Sequence, residues 1–147
     1  MNIVVGSDHG AVDLKEEVKL VLKEFPDIKV VDVGTFSHDP VDYPDIAKMV
    51  CEKIISGDCE RGVVLCGTGI GISISANKIK GIRCALCSDV FSAKMARAHN
   101  DANVLALGGR VLGVGPAGEI VRAFIESKFE GGRHERRVNK IMDLEKL

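Results

Sequence analysis

The sequence predicts an α/β fold: a three-layer α/β/α sandwich on a five-stranded, parallel, Rossmann-like sheet, followed by a C-terminal helical arm. The first observation behind this prediction is that short apolar runs alternate with helical segments along the chain. Parallel strands need crossover connections, and crossover helices cover both faces of a sheet. The second observation is size, because 147 residues with 46% hydrophobic content suit one well-filled core. We therefore expect a single domain over residues 1–147.

The strands and helices follow from local patterns taken in chain order. Five apolar runs are predicted as strands: residues 2–7, 28–33, 62–65, 82–87 and 103–107. Helical segments are predicted between and after them, at residues 11–25, 44–54, 74–78, 90–98 and 117–127. In the first helix Lys15 is assigned to the charged outer face, and Pro26 ends the helix. Pro44 suits the first turn of the second helix.

The stretch that carries chemistry is the glycine-rich segment Cys66–Ser73, directly after the third strand. Its glycines, at positions 67, 69 and 71, remove every second Cβ, so backbone N–H groups can gather around a ligand oxygen at the start of a helix. Cys66 lies at the edge of this loop, where the same field favours a thiolate. The pattern predicts a base or nucleophile beside an anion site. A loop that only binds a nucleotide, with Cys66 as a small buried hydrophobe, stays open as an alternative.

Three better-known loops do not match this segment. A Walker loop needs Lys and Ser or Thr after its last glycine, and here Gly71 is followed by Ile72. The dinucleotide fingerprint needs a third glycine at position 72, which is isoleucine in this chain. A cysteine phosphatase loop would place arginine at position 72, so this class is disfavoured too.

Charge and cysteine content exclude several classes of protein. Twenty Lys and Arg against 21 Asp and Glu give a net charge of −1, which offers no case for nucleic acid or an anionic membrane as partner. No apolar run approaches the roughly 18 residues of a membrane span, and no signal-peptide pattern follows Met1, so we expect a cytoplasmic protein. Five scattered cysteines indicate free thiols. Cys84 and Cys87 fall on opposite faces of the predicted fourth strand, which argues against a shared metal or redox role.

Two polar loops are expected to form one site. Ligands of such sheets bind beyond the carboxyl ends of the strands, where the winding reverses. If the first and third strands are neighbours, Asp8 and His9 face the same crevice as Cys66. His99 ends a crossover helix and is expected at the opposite rim of the sheet. A second subunit related by a two-fold axis would return His99 to the site.

The C-terminal arm, residues 129–147, is the second candidate binding element. The pair Gly131 and Gly132 is typical of a hinge, and arginines and lysines follow it: Arg133, Arg136, Arg137 and Lys140. Arginine is suited to bidentate phosphate binding. The arm is therefore expected to bind phosphate while packing on a partner subunit, although a solvated terminal helix would show the same composition.

Seven segments then carry a family resemblance that covers essentially the whole chain: Gly6–Gly10, Asp42–Pro44, Cys66–Ser73, Asn77–Lys78, Gly81–Arg83, His99–Leu105 and Glu130–His134. In order and spacing they resemble the ribose-5-phosphate isomerase B family, which includes allose- and galactose-6-phosphate isomerases. One branch of that family uses a glutamate base at a nearby loop position. Cys66 places this chain with the cysteine branch.

The resemblance implies an aldose–ketose isomerase that interconverts ribose 5-phosphate and ribulose 5-phosphate through a cis-enediolate. Cys66 would be the base between C1 and C2, and His99 would open the sugar ring from the partner subunit, assisted by Asp8. Thr68 and the amides from Gly67 to Gly71 would stabilise the enediolate. The implied substrate contacts are Asp8, Gly67, Thr68, Gly69, Ile70 and Gly71 at the reacting carbons, Tyr43 beside the sugar, His9, Arg133 and Arg137 on the phosphate, and Asn100 and Arg110 from the partner.

The resemblance further implies an enzyme of the pentose phosphate pathway with neither a metal nor another cofactor. It implies a homodimer, or a tetramer, whose active site is shared between subunits, and no nucleic-acid or membrane partner. Two alternatives of function remain beside it. One is an isomerase for a six-carbon sugar phosphate, and the other is a non-catalytic nucleotide-binding module. A purely structural dimerisation domain would leave the polar crevice and the tail arginines without a task.

Overall fold

A computed structural model describes residues 1–147 and confirms the α/β prediction. Five parallel strands form one sheet in the order β2-β1-β3-β5-β4. Their bounds are β1 Asn2–Ser7, β2 Lys29–Asp32, β3 Arg61–Cys66, β4 Cys84–Leu86 and β5 Val104–Gly108. The chain runs from β1 outward to β2 and then returns to β3 on the other side of β1. The carboxyl ends of β1 and β3 are therefore the reversal point that was expected to hold the ligand.

Helices cover both faces of this sheet, as a three-layer sandwich requires. Their bounds are α1 Val12–Leu22, α2 Tyr43–Ile55, α3 Ile70–Asn77, α4 Val90–Ala98, α5 Val114–Glu126 and the arm helix α6 Arg133–Asp143, with short 3₁₀ turns at His9–Ala11 and Leu144–Lys146. Helices α1, α4 and α5 pack together on one face, and α2 and α3 pack together on the other. None of these helices has both the length and the apolar character needed to cross a bilayer.

Each face of the sheet has its own hydrophobic core, because side chains alternate along the buried strands. Val63 and Leu65 point into a core of 20 buried residues under α1, α4 and α5, where Phe124 is completely buried. Val64 and Cys66 point into a core of 13 buried residues under α2 and α3. Cys66 is therefore held by strand packing up to the residue where the loop begins.

The predicted separation of Cys84 and Cys87 onto opposite faces of the sheet is confirmed. Cys84 packs against the core under α2 and α3, whereas Cys87 belongs to the core on the other face. All five cysteines are free thiols. Burial raises the pKa of Cys51 to about 12 and that of Cys87 to about 11, so these two remain neutral thiols that act as core residues.

Several element boundaries differ from the prediction for local reasons. Helix α3 begins at Ile70 rather than Ile74, because the chain enters it directly from Gly69, whose φ of 80° makes the turn out of the loop. Half of the predicted glycine loop is thus the first turn of a helix. Helix α5 begins at Val114, so Pro116 lies in its first turn, where no intrahelical N–H donor is needed. Strand β4, at the sheet edge, is shorter than predicted.

The outer-face assignment of Lys15 is wrong. Its side chain is completely buried, and its ammonium donates to both Asp32 carboxylate oxygens at 2.7 and 2.9 Å and to the Thr35 carbonyl at 2.8 Å. Lys19 donates to the same carboxylate at 2.9 Å. Burial alone would raise the pKa of Asp32, but the hydrogen bonds from Lys15, Lys19 and the Gly34 N–H outweigh it and lower that pKa. This network fixes α1 to β2 and to the loop that follows β2.

Candidate active site

The two predicted polar loops meet at the carboxyl ends of β1 and β3. The Asp8 N–H donates to the Leu65 carbonyl at 3.0 Å, which ties the loop after β1 to the end of β3. The Asp8 carboxylate is buried and accepts from the Gly10 N–H at 2.9 Å, so it caps the 3₁₀ turn that carries His9. Asp8, His9 and Cys66 therefore belong to one rim of one chain.

The Cys66 sulfur is held inside the glycine loop. The Gly69 N–H donates to Cys66 Sγ at 3.1 Å, and the thiol is only 5% exposed. This donor stabilises negative charge on sulfur, and the N-terminus of α3 lies directly behind it. Gly69 is required here, since a Cβ would lie 2.6 Å from Leu86 Cδ1 and 2.9 Å from the Leu107 carbonyl carbon. The loop geometry therefore depends on glycine at position 69.

Thr68 and Gly71 shape the outer side of this loop. Thr68 Oγ1 accepts the Ile70 N–H at 3.2 Å, which orients the hydroxyl at the entrance to α3. The Tyr43 ring occupies the space beside Gly71, because a Cβ at position 71 would lie 2.5 Å from Tyr43 Cζ. Tyr43 is the first residue of α2 and is 40% exposed. It forms an aromatic wall next to the loop.

Arg110 lies on the Cys66 loop of its own chain. Its N–H donates to the Gly67 carbonyl at 2.8 Å, and its guanidinium would be 3.4 Å from a Cβ at position 67. The expectation that Arg110 comes from a partner subunit is therefore wrong: the chain turns after β5, the neighbour of β3, and returns Arg110 to the same rim. One chain supplies both the thiol and a cation beside it.

His9 is oriented by the loop between β2 and α2. The Val41 N–H donates to His9 Nδ1 at 3.1 Å. A neutral His9 therefore carries its proton on Nε2 and can donate it to an anion.

His99 lies at the opposite rim, as expected. It follows α4, and the Asn103 carbonyl shortly after it accepts the Gly62 N–H at the beginning of β3. The six-residue strand β3 separates this rim from Cys66, and its five residue-to-residue steps span about 17 Å at roughly 3.3 Å each. Asn100, beside His99, is exposed. Within one chain neither residue can reach Cys66.

The tail arginines lie at the same rim as His99. The Glu130 N–H donates to the Ala98 carbonyl at 3.0 Å, and the Gly81 N–H donates to Glu145 Oε1 at 2.7 Å, so the arm is fastened at both ends. Arg133 and Arg137, one helical turn apart on α6, are exposed. The expectation that they bind phosphate together with His9 cannot hold inside one chain, because β3 separates the two groups.

Sequence reasoning missed the surroundings of His99. The ring of His134 stacks on that of His99 at 4.0 Å between centroids and 7° between planes. Burial, followed by the neighbouring His99 and Arg133, lowers the pKa of His134. Glu130 lies between them, with Oε1 3.7 Å from His99 Nε2 and 3.6 Å from His134 Nε2. The i, i+4 spacing of Glu130 and His134 was the available signal.

A groove elsewhere on the chain does not contain Cys66. It has a volume of about 570 Å³ and lies between α3, β4 and the arm, with Arg83, Asn100 and Met142 in its wall. The thiol, the glycine loop and the N–H donors of His9 and Arg110 converge at the Cys66 rim instead, so the candidate chemistry lies there and not in this groove.

Comparisons with known proteins identify the family. The sequence profile of the Ribose/Galactose Isomerase family matches residues 3–141. The solved structure of Clostridium thermocellum ribose-5-phosphate isomerase B superposes with a TM-score of 0.96 at 51% identity, covering 99% of this chain and 98% of that one. Ribose-5-phosphate isomerase B of Escherichia coli is 45% identical over 97% of this chain and 95% of its own length. The galactose-6-phosphate isomerase subunit LacB of Clostridium acetobutylicum is 41% identical over 97% of this chain and 82% of its own length.

The fold and the family match define a sugar phosphate isomerase. More specifically, this chain belongs to the ribose/galactose isomerase family, and the resemblance to ribose-5-phosphate isomerase B is confirmed.

Proposed function

We propose that this protein interconverts D-ribose 5-phosphate and D-ribulose 5-phosphate through a cis-enediolate, with Cys66 as the base. The observation that carries the proposal is the Gly69 N–H aimed at Cys66 Sγ from 3.1 Å, inside a family that acts on sugar phosphates. The thiolate removes the proton from C2 of the open-chain aldose and returns it to C1. A second proton moves between the two oxygens, so the reaction needs no external oxidant or reductant.

The glycine loop supplies the electrostatic part of this mechanism. Negative charge develops on the carbonyl oxygen as the C2 proton leaves. In this proposal the Thr68 hydroxyl and the loop amides that are not bonded to Cys66 Sγ or Thr68 Oγ1 donate to that oxygen. One such donor is typically worth about 3 kcal/mol of barrier. Asp8, whose N–H donates to the Leu65 carbonyl at the end of β3, would assist at the same oxygens and hydroxyls in this proposal.

A second subunit completes the site in this proposal. The substrate begins as a closed ring, and ring opening requires a proton to move from the anomeric hydroxyl to the ring oxygen. His99 suits that task but lies at the far rim of its own chain. In a two-fold dimer each chain would give Cys66 to one site and His99 with Asn100 to the other. The Cys66 thiol lies at the rim of the sheet, where the partner surface would also exclude water from the site.

The phosphate would be held from both sides. His9 Nε2–H and Arg110 come from the chain that carries Cys66, and Arg133 and Arg137 come from the partner arm. This division explains why the proposed phosphate-binding side chains lie in two groups at opposite rims. We also propose that the enzyme acts in the cytoplasm and that a tetramer would pair two such dimers.

The runner-up substrate is a six-carbon aldose phosphate, favoured by the likeness to the galactose-6-phosphate isomerase subunit. One more carbon moves the phosphate away from Cys66, so the distance between the thiol and the arm arginines decides the preference. A non-catalytic nucleotide-binding module is the alternative from another class. It would give a calorimetric signal with a nucleotide and none with a pentose phosphate.

The test is an assay of the full chain and two alanine variants on five- and six-carbon aldose phosphates. We expect Cys66→Ala to lower kcat with ribose 5-phosphate by at least about 1,000-fold, since it removes the base. Cys59→Ala, in the same core but remote from the loop, is the matched control and should keep the native rate. Native turnover by Cys66→Ala would reject the assignment of the base. Faster turnover of a six-carbon substrate by the unmodified chain would reject the pentose.

A further inference from the structure

Outside the Cys66 rim, one cluster of side chains brings three metal-binding groups together. The three groups are His99 at the end of α4, Glu130 just before α6 and His134 in the first turn of α6. Each offers one ligand atom, and these atoms lie within 4.8 Å of one another. The two Nε2 atoms lie 3.7 and 3.6 Å from Glu130 Oε1. Ligand atoms around a tetrahedral ion with bonds of about 2.1 Å are about 3.4 Å apart, so the spacing is close to that of a coordination site.

Backbone hydrogen bonds hold this cluster in place. The Glu130 N–H donates to the Ala98 carbonyl at 3.0 Å, next to His99. The His134 N–H donates to the Gly131 carbonyl at 3.1 Å, and its side chain is only 9% exposed. The arm is thus fixed to the end of α4 at the position where the three groups meet. An ion would need little rearrangement of the main chain to bind here.

The donor set selects a class of ion. Two imidazole nitrogens and one carboxylate oxygen suit zinc and its neighbours, whereas calcium and magnesium prefer oxygen ligands alone. Three protein ligands leave a fourth position for water. The rings are stacked, so each would turn about its Cβ–Cγ bond to direct Nε2 at a shared ion. That torsion is broad in histidine.

We propose that His99, Glu130 and His134 form a binding site for a divalent transition-metal ion of the zinc class, and that the bound ion inhibits the isomerase by occupying His99 Nε2. The binding part stands on the cluster itself. The inhibitory part rests on the proposed function, in which His99 opens the ring. The ion is an inhibitor rather than a cofactor, because the mechanism uses the free imidazole.

The binding test is a Co²⁺ titration of the metal-free full-length protein, followed by visible and near-ultraviolet absorption, with Zn²⁺ added as competitor. We expect one ion per chain, a nitrogen- and oxygen-ligated spectrum without a thiolate charge-transfer band, and displacement by Zn²⁺. His134→Gln and Glu130→Gln should each weaken binding by about tenfold or more. His38→Ala is the matched control, because His38 is exposed beside Asp13, away from the cluster, and it should leave binding unchanged.

Three results would overturn the site: no binding, a thiolate band that Cys66→Ser abolishes, or undiminished affinity in the Glu130→Gln variant. Glu130 is 55% exposed, so this variant is expected to fold even if His134→Gln does not. The activity arm is separate. Zn²⁺ should inhibit isomerisation at concentrations that fill the site and inhibit Glu130→Gln about tenfold less effectively. Binding without inhibition would reject the inhibitory role alone, and an inactive unmodified chain would reject the proposed function while leaving the binding result intact.

Discussion

Cys66 and His99 lie at opposite rims of the sheet in one chain, separated by the length of β3, which is about 17 Å by the rise of a strand. Neither residue can therefore assist the other inside one subunit. The base and the ring-opening group of the proposed mechanism must come from two copies of the chain if both act on one substrate molecule. This relationship makes the shared active site directly testable.

Mixing two inactive variants should restore activity. We expect Cys66→Ala and His99→Asn homodimers each to be nearly inactive with ribose 5-phosphate. Refolding or co-expressing them in equal amounts should give about a quarter of the native rate, because half of the dimers are mixed and each mixed dimer has one intact site of two. The steady-state rate of the mixture measures this. A mixture no more active than its parents would show that the two residues do not share a site across subunits.

The role of His99 in ring opening predicts a dependence on the substrate. A four-carbon aldose phosphate cannot close a furanose ring, because the phosphate blocks its fourth oxygen. His99→Asn should therefore lose about 100-fold or more in kcat/KM with ribose 5-phosphate, within the usual range for acid–base catalysis, and much less with the four-carbon substrate. Both rates are compared with those of the unmodified chain. Equal losses would assign His99 to a step other than ring opening.

The contact between Gly71 and Tyr43 predicts a selective loss of activity. In Gly71→Ala the new methyl group would overlap the Tyr43 ring and displace it from the loop. We expect kcat/KM to fall by about tenfold, while the free energy of unfolding changes by less than about 1 kcal/mol, because alanine favours the helix and offsets part of the overlap.

Gly115→Ala is the matched control for this variant. A Cβ at position 115 meets nothing within 4 Å, so this variant should keep native activity and gain slightly in stability. Denaturant titration and initial rates measure both quantities. Native kcat/KM in Gly71→Ala would remove Tyr43 from the substrate site.

The buried pair of Lys15 and Asp32 predicts an acid-sensitive contribution to stability. The folded pKa of Asp32 is lower than its value near 3.8 in the unfolded chain, so the unfolded state binds more protons. The stabilisation is complete above that unfolded value and is lost as pH falls through the folded pKa. Asp32→Asn should lower the free energy of unfolding at pH 7 by about 3 kcal/mol or more, because it leaves the Lys15 charge buried without a partner.

The control for this prediction is Asp13→Asn, whose carboxylate is 90% exposed beside His38. It should change the free energy of unfolding by less than about 0.5 kcal/mol. Urea titrations at a series of pH values measure both variants. A pH dependence below pH 4 that is as steep in Asp32→Asn as in the unmodified chain would show that Asp32 is not its source.

Lys15 shows why some positions were misjudged from the sequence. It lies on the stripe Ala11, Lys15, Val18 and Leu22, whose spacing is that of a buried helix face. Its charge suggested an exposed position, although a buried lysine is stable when it forms an ion pair with a carboxylate. That carboxylate, Asp32, comes from the next element, 17 residues later. The helical periodicity indicates that Lys15 lies on the buried face of α1, but only the packing of α1 against β2 shows that Asp32 is its partner.

Arg110 and the Glu130–His134 pair show a second reason. The sequence gives the residues and their order, but the path of the folded chain decides which distant residues come into contact. Arg110 reaches Gly67 because β5 is the neighbour of β3, and His134 reaches His99 because the arm turns back at Gly131, whose φ is 68°. Both contacts depend on strand order and on chain reversal, which short-range patterns do not encode.

The sequence by itself determined the layered α/β architecture, the position of the glycine loop after a buried strand and the presence of a thiol at its edge. These features are local, since alternation, glycine spacing and crossover length act over a few residues. The tertiary structure alone decided that Arg110 lies at the same rim as Cys66, while the arm arginines lie at the same rim as His99. It also decided that the buried Lys15 forms an ion pair with Asp32 on the edge strand β2. Such pairings come from long-range packing, in which each side chain is placed by elements far from it along the chain.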